Sequence, residues 1–337
     1  MKKRKIGLWA LALALLAGCG GPPAAPSSGC GPEEEDRLVV YTSHKEEVWR
    51  PIVQEFEQRT GVWVQVVEGG TNELLERIRE EDSTAADVMF GGGVESLESY
   101  RDCFTPYVCA GWEEIQPQFR EADGVWTPFS ALPVVLICNA KLVEPGQLDG
   151  WEDLLSPEFR GRIAFTDPGI SGSCFTGLVT LMYAQGEEAL KRFADNLDGR
   201  QLDSSGEVLS SVANGTDLAG VTLEETALKR IAAGDGLAMV YPEEGTSCVP
   251  DGSALVRGAP HEENARLFLD FTVSREVQRL LSEQFCRRSV RGDLEPDPRL
   301  PDLSDIPMVE YSVEWASRNR ESVLMSWAFY LGGEGEP

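Results

Sequence analysis

Histidine is nearly absent from this chain: His44 and His261 are the only two in 337 residues. There is no Cys-x-x-Cys, no Cys/His spacing of a zinc site and no metal-spaced pair of histidines, so a metallohydrolase is only a minor alternative. A Gly-x-Ser-x-Gly element is also missing, which leaves an exported hydrolase without a nucleophile and base. Basic residues are scarce: 30 Lys and Arg stand against 56 Asp and Glu, a formal net charge of −26. Such a surface is a poor partner for nucleic acid or anionic lipid headgroups, although local groups still decide the sign of a buried ligand. Internal repeats and low-complexity arrays are lacking, which argues against an adhesive or purely structural chain. Beyond the N-terminal segment, no stretch approaches the ~20 apolar residues of a membrane-spanning helix.

The N-terminus has what the remainder lacks. Met1-Lys2-Lys3-Arg4-Lys5 is a basic start, residues 6–16 form an apolar run of signal-peptide length, and Leu16-Ala17-Gly18-Cys19 closes it. This resembles the lipobox of bacterial lipoproteins and predicts a lipoprotein signal peptide over 1–19 with lipidation of Cys19. An ordinary signal peptide with a chance cysteine is the alternative. Residues 20–36, rich in Pro, Gly and Ser and then Glu, read as a disordered tether. The expected location is outside the cytoplasm, lipid-anchored to the outer face of the cytoplasmic membrane or periplasmic. Without the four basic residues of the signal, 26 basic residues face 56 acidic ones, a net of −30. Of the eight cysteines, Cys103 and Cys109 are near enough in sequence to bridge, with scattered buried free thiols as the other reading.

After the tether the chain repeats an order of strand, small-residue turn and helix. Leu38-Val39-Val40-Tyr41 reads as a strand, Thr42-Ser43-His44-Lys45 as a polar turn, and the amphipathic run to Gly61 as a helix. A β-rich run over 62–67 leads through Gly69-Gly70-Thr71-Asn72 to a second helix, with Thr71 or Asn72 as its cap. Ala86-Asp87-Val88-Met89-Phe90 then leads through Gly91-Gly92-Gly93 to a third. Strands alternating with helices predict a parallel sheet whose loops gather at one edge, where helix N-termini offer N–H groups to a ligand.

Residues 132–138 and 161–165 read as further strands, and Gly169-Ile170-Ser171-Gly172-Ser173 opens the next helix. Ser171, Gly172 and Ser173 either meet an oxyanion or simply cap that helix. Ser204-Ser205-Gly206 opens another helix, Thr222 ends an apolar strand, and Glu224-Glu225 follows it. The stretch Pro242-Glu243-Glu244-Gly245-Thr246 is a turn-rich break suited to a hinge. Residues 262–273 and 274–285 read as packing helices, with His261 a surface residue at a helix start. The apolar set Val313, Val323, Leu324, Trp327 and Leu331 predicts a final segment covering one lobe. Roughly 300 residues exceed what one core usually serves, so two lobes are expected.

A longer series of short segments carries a resemblance. They are residues 39–46 and 56–61, Ala86-Asp87-Val88, residues 151–157, Gly161-Arg162-Ile163, and Asp167-Pro168 with Ser171-Gly172-Ser173. Residues 241–246, Gly258-Ala259-Pro260 and Arg288-Ser289-Val290-Arg291 complete it. In this order, over nearly the whole mature chain, they resemble the extracellular solute-binding proteins of bacterial ABC importers. The branch is the ferric-iron-binding one, which also has relatives for phosphonates, sugar phosphates and thiamine. The resemblance implies a binding protein rather than an enzyme, with an α/β, two-lobe periplasmic-binding-protein-like (type II) fold, hinge strands and an interlobe cleft. One lobe would comprise 37–130 plus 242–290 and the other 131–241 plus 291–337. It further implies a monomer whose partners are a small-molecule solute, the importer's permease subunits and, through its anchor, a membrane.

In iron-binding members the metal is held by a first-turn histidine, a carboxylate after the third strand and two adjacent tyrosines. Here His44 matches the histidine, Gly92 falls at the carboxylate position and Glu224-Glu225 at the tyrosine pair. His44, Glu224 and Glu225 therefore stand as a candidate metal set for Fe³⁺ as transported ligand, with no resident cofactor. The two glutamates suit an ammonium group or sugar hydroxyls equally well, with a solvated helix start as the plain alternative; for His44 the alternative is placement at a helix N-terminus without a ligand role. The glycine, serine and threonine turns favour a phosphoryl or phosphonyl group. The expected ligand-binding set is Ser43, His44, Gly70, Thr71, Asn72, Gly92, Gly93, Ser171, Gly172, Ser173, Ser205, Thr222, Glu224, Glu225, Tyr241 and Glu244. Closure is expected about hinges near Phe129-Ser130 and 241–244.

Overall fold

The computed structural model describes residues 33–80 and 86–332. The expected signal peptide, Cys19, Cys30 and most of the tether lie outside the described residues. The end of that tether, Glu34–Asp36, is a single 3-10 turn. Asn264 Nδ2 holds it to the body by donating to the carbonyls of Glu35 and Arg37, both at 2.9 Å.

The first part alternates as the pattern demands: β1 (Arg37–Thr42), α1 (Glu46–Thr60), β2 (Trp63–Glu68), α2 (Thr71–Glu80), β3 (Val88–Gly93) and α3 (Val94–Ser99). β1 lies between β2 and β3, parallel to both. Side chains alternate across a strand, so Leu38, Val40, Val88 and Phe90 pack in one core with Ile52 and Phe56 of α1. Tyr41 and Met89 face Leu74 and Leu75 of α2 and Leu97 of α3 in another. Gly61, at φ +76°, ends α1 by donating its N–H to the Glu57 carbonyl.

β4 (Thr127–Asn139) is buried along its whole length. After it come α4 (Trp151–Leu154), β5 (Ile163–Ala164), α5 (Gly172–Gln185), α6 (Glu188–Leu197), α7 (Ser205–Ala213), β6 (Ala219–Leu223), α8 (Glu224–Ala232) and β7 (Leu237–Val240). The chain returns through β8 (Cys248–Leu255), α9 (Glu262–Thr272), α10 (Arg275–Phe285) and β9 (Arg288–Ser289), and ends with α11 (Val313–Arg318) and α12 (Arg320–Tyr330). Strand order is β2-β1-β3-β8-β4-β6-β5, with β7 and β9 also on β4.

β4 joins the two lobes. From Thr127 to Pro133 it pairs antiparallel with β8, and from Val134 to Cys138 with β6. The partner changes at Pro133-Val134, where proline has no N–H for a ladder. Phe129-Ser130, the expected hinge, lies before that change, in the stretch held by β8 and β9. Beyond the change, Val134, Leu136 and Cys138 face a core containing α5 and α6, while Val135 and Ile137 face Val208, Leu209 and Ala227 of α7 and α8. The second connection between lobes runs from β7 to β8 through 241–247.

The final segment covers both lobes rather than one. Val313 packs beside the α2–α3 core, whereas Ala316, Val323 and Trp327 enter the α5–α6 core, and Ser317 Oγ lies 2.9 Å from Ser99 Oγ on α3. Cys103 and Cys109 are free thiols, as are the other four cysteines among the described residues. Burial pushes the Cys109 thiol up to about 12. No helix among the described residues is long and apolar enough to cross a membrane.

Candidate functional site

His44 is set by the end of β1. Thr42 Oγ1 donates to the Phe90 carbonyl at 2.8 Å and accepts the His44 N–H at 3.1 Å, which turns the chain sharply after the strand. The imidazole then packs against the rings of Phe90 and Phe129, with centroids 4.6 and 4.9 Å away, the two phenyl rings themselves being 4.9 Å apart. Gly91 makes room for it: a Cβ there would fall 2.7 Å from His44 Nε2, and the φ of +93° is itself a glycine conformation. Burial lowers the His44 pKa to about 4, against the pull of Asp251, so the ring is neutral at pH 7. Its Nε2 is buried without a hydrogen-bond partner, 3.8 Å from Asp251 Oδ2.

Asp251 begins a buried chain of charges. Its Oδ1 accepts from the N–H and hydroxyl of Ser130, and its Oδ2 from Arg287 Nη1 at 2.6 Å. The other terminal nitrogen of Arg287 lies 3.6 Å from Glu225 Oε1, and Lys229 Nζ lies 3.3 Å from Glu225 Oε2 and 3.1 Å from Glu47 Oε1. Burial alone would raise the Glu225 carboxyl, but Arg287 and Lys229 hold it below its ordinary value. Glu224 is gripped by the next arginine: Arg288 Nε and Nη2 donate to its two oxygens at 2.7 and 2.8 Å, and Tyr241 Oη donates to Oε1. Adjacent glutamates thus meet adjacent arginines, and Lys229–Glu47 ties α8 to α1.

A second cluster gathers the glycine and serine turns. At Gly92 the φ is +113° and a Cβ would fall 2.7 Å from Thr71 Cγ2, so the α2 N-terminus lies directly against the end of β3. Ser96 Oγ donates to Asn72 Oδ1 at 3.4 Å. Glu95, buried just after β3, accepts from Thr176 Oγ1 of α5 and from Tyr311 Oη, both at 2.7 Å. This bridge brings the first turn of α5 up to the glycine segment. Ser171 caps α5 by accepting the Cys174 N–H at 3.3 Å, and its hydroxyl lies 3.1 Å from that of Ser173.

The expected residues therefore divide. His44 and Glu225 share one charge network, and Gly92, Gly93, Thr71 and Asn72 belong to the second cluster, to which Ser171, Gly172 and Ser173 connect through Thr176 and Glu95. Gly70 donates its N–H to Glu73 Oε2 at 3.3 Å. Ser43 is half-buried beside His44, Thr222 half-buried on β6, and Ser205 exposed at the start of α7. Glu244 serves as a helix cap: it accepts the N–H groups of Trp151 and Glu152, each at 2.9 Å, and Gln185 Nε2 at 2.8 Å. Glu224-Glu225 is no solvated helix start, being 1% and 8% exposed. As for the metal set, arginines engage both carboxylates, and no three His, Cys, Asp or Glu side chains among the described residues are grouped to hold a metal ion. His261 is not a surface residue: its Nδ1 and N–H meet Asp87 at 2.9 and 2.8 Å.

Sequence reasoning missed Asp251, Arg287, Lys229, Glu95, Thr176 and Tyr311. The one available signal was the Arg287-Arg288 pair, a complement to Glu224-Glu225 in an acidic chain.

Two lobes joined by crossing strands, with polar side chains and helix N-termini meeting where they face each other, define a solute-binding protein. Residues 86–306 match the family of bacterial extracellular solute-binding proteins, and the chain belongs to that family. It is the substrate-binding component of an ABC-type importer, not an enzyme; a small solute and a permease are its partners. Iron uptake protein A1 of Synechocystis sp. is 30% identical over 80% of this chain and 79% of its own. A Salmonella typhi periplasmic protein named for binding 2-aminoethylphosphonate is 22% identical over 72% and 73%. Among solved structures, the periplasmic binding protein AfuA of Actinobacillus pleuropneumoniae, with fructose 6-phosphate bound, superposes with a TM-score of 0.79 at 23% identity. It covers 88% of this chain and 98% of its own, a likeness of fold.

Proposed function

We propose that the transported solute is a small organic phosphate or phosphonate, taken up between the lobes 37–130 plus 242–290 and 131–241 plus 291–337. The observation that carries this reading is the occupation of Glu224 and Glu225 by Arg288 and Arg287, which withdraws the acid pair from metal ligation. The cluster of Thr71, Asn72, Gly92, Ser171 and Ser173 instead offers neutral donors and helix N-termini, the chemistry that holds tetrahedral oxyanions. The protein works outside the cytoplasm, tethered through a lipid on Cys19. Thermal unfolding with fructose 6-phosphate, 2-aminoethylphosphonate and ferric citrate tests the ligand. Only the phosphorus compounds should raise the midpoint, by the equivalent of about 2.7 kcal/mol at a hundred times Kd.

Ferric iron is the second reading, favoured by the neutral, unpartnered Nε2 of His44 beside Asp251 and by the resemblance to an iron uptake protein. A visible charge-transfer band on adding Fe³⁺, with no response to the phosphorus compounds, would decide for iron.

A further inference from the structure

Arg320 opens α12, the last helix. Its guanidinium lies over the Phe175 ring, 4.2 Å from the centroid, and Nη2 makes one long bond to the Pro168 carbonyl at 3.4 Å. Pro168 precedes the Ser171–Ser173 turn and Phe175 lies in the first turn of α5, so this charge sits at the N-terminal end of that helix. Burial holds Arg320 below its ordinary arginine pKa, although Glu95 and Tyr311 pull the other way. The Glu95 oxygen that faces α5 is already committed to Thr176 and Tyr311.

The same side chain lines a cavity of about 720 Å³ between α2, α3 and the C-terminal helices, opposite Asn72 and Ser96. That volume is in the range of small-molecule sites. Three other arginines line it, each with a carboxylate: Arg79 with Glu76, Arg101 with Glu98 and Asp123, and Arg318 with Glu314. Among the described residues, Arg320 is the lining cation with no carboxylate in ion-pair range. A guanidinium has five donors in a rigid fork. Here one long bond and a ring face use few of them.

We infer that Arg320 is the anchor for the anionic group of the solute. Its fork takes two oxygens of a phosphoryl or phosphonyl group in the cavity, with Asn72 among the neutral donors to the remaining oxygens and Ser96 meeting a hydroxyl or an amine on the organic body. The inference rests on the organic-phosphate reading and adds the C-terminal helix to the site, a segment that sequence reasoning assigned to packing. It also gives that helix a reason to reach both lobes.

Calorimetric titration of the full chain with fructose 6-phosphate and with 2-aminoethylphosphonate tests it, using Arg320→Ala, Arg320→Lys and, as a control, Arg192→Ala. Arg192 of α6 is paired with Glu152 of α4 and does not line the cavity. Losing a charge-assisted pair should weaken binding roughly 10- to 100-fold in Arg320→Ala. Arg320→Lys should recover part of that loss, because it restores charge without the fork. Midpoints of unfolding without solute separate misfolding from lost recognition, and Arg320→Lys carries the test if the alanine variant does not fold. Binding by a folded Arg320 variant equal to that of wild type and of Arg192→Ala would overturn the anchor and leave the organic-phosphate reading standing. A wild-type protein that binds neither compound overturns both.

Discussion

Acidification should destabilise this protein through His44 in particular. The imidazole titrates at 6.5 in an unfolded chain and at about 4 in the folded one, so between these values the unfolded state binds the extra proton. Stability is therefore complete above pH 6.5, falls as pH drops through 6.5, and stops falling below about 4. The full shift corresponds to about 3 kcal/mol, of which about 2 kcal/mol is already lost at pH 5. The cause is physical confinement: Phe90, Phe129 and Gly91 surround the ring, and Arg287 opposes its charging. Other groups titrate as well, so the measurement is a difference. Urea unfolding from pH 7.5 to 4.5 is compared between wild type and His44→Asn. The packing lost in the variant is common to every pH and drops out. Wild type should lose about 2 kcal/mol more than the variant on going from pH 7.5 to 5. With two histidines in the chain, the His44 imidazole signals are readily followed by NMR and should hardly move above pH 5. Parallel curves, or an imidazole titrating near 6.5, would refute the buried neutral ring.

Arg287→Met strands Asp251 and Glu225 in the interior and should cost about 3–5 kcal/mol in denaturant unfolding. Adding Glu225→Met should return part of that loss, and a double variant worse than the single would contradict the pairing. Glu244→Ala should cost about 1 kcal/mol as a lost helix cap and leave solute affinity unchanged. A fall in affinity at constant stability would return Glu244 to the solute site.

The order of elements was readable because periodicity and turn chemistry are local. Each Gly-rich turn stands between a β-rich run and an amphipathic run, and α1, α2, α9 and α10 appear where those patterns put them. The crossing was harder to place. β4 is buried on both faces for its whole length, so its apolar character does not change where its neighbour changes from β8 to β6. The C-terminal helices misled for a related reason. Val313 and Val323 look alike in sequence, but one turns to the core beside α3 and the other to the core beside α6. An apolar stripe says that a face is buried, not against what.

The site was less legible than the fold because its logic lies in pairs remote in sequence. Glu95 meets Tyr311 across 216 residues and Thr176 across 81, and Asp251 meets Ser130 across 121. No spacing rule links them. Net charge said little about the site as well, because local groups decide it. A chain at −26 reads as short of cations, yet Arg287, Arg288 and Arg320 are drawn inward. Most of the acidic excess is solvated, and surface ion pairs contribute about 0–1 kcal/mol each. An arginine held in the interior is costly unless it is matched, and Glu225 and Glu224 match the first two. The same reasoning separates Arg320 from them: it is half-buried, it has no carboxylate partner among the described residues, and it lines a cavity. What the solute supplies there is the counter-charge that the chain itself provides everywhere else in the site.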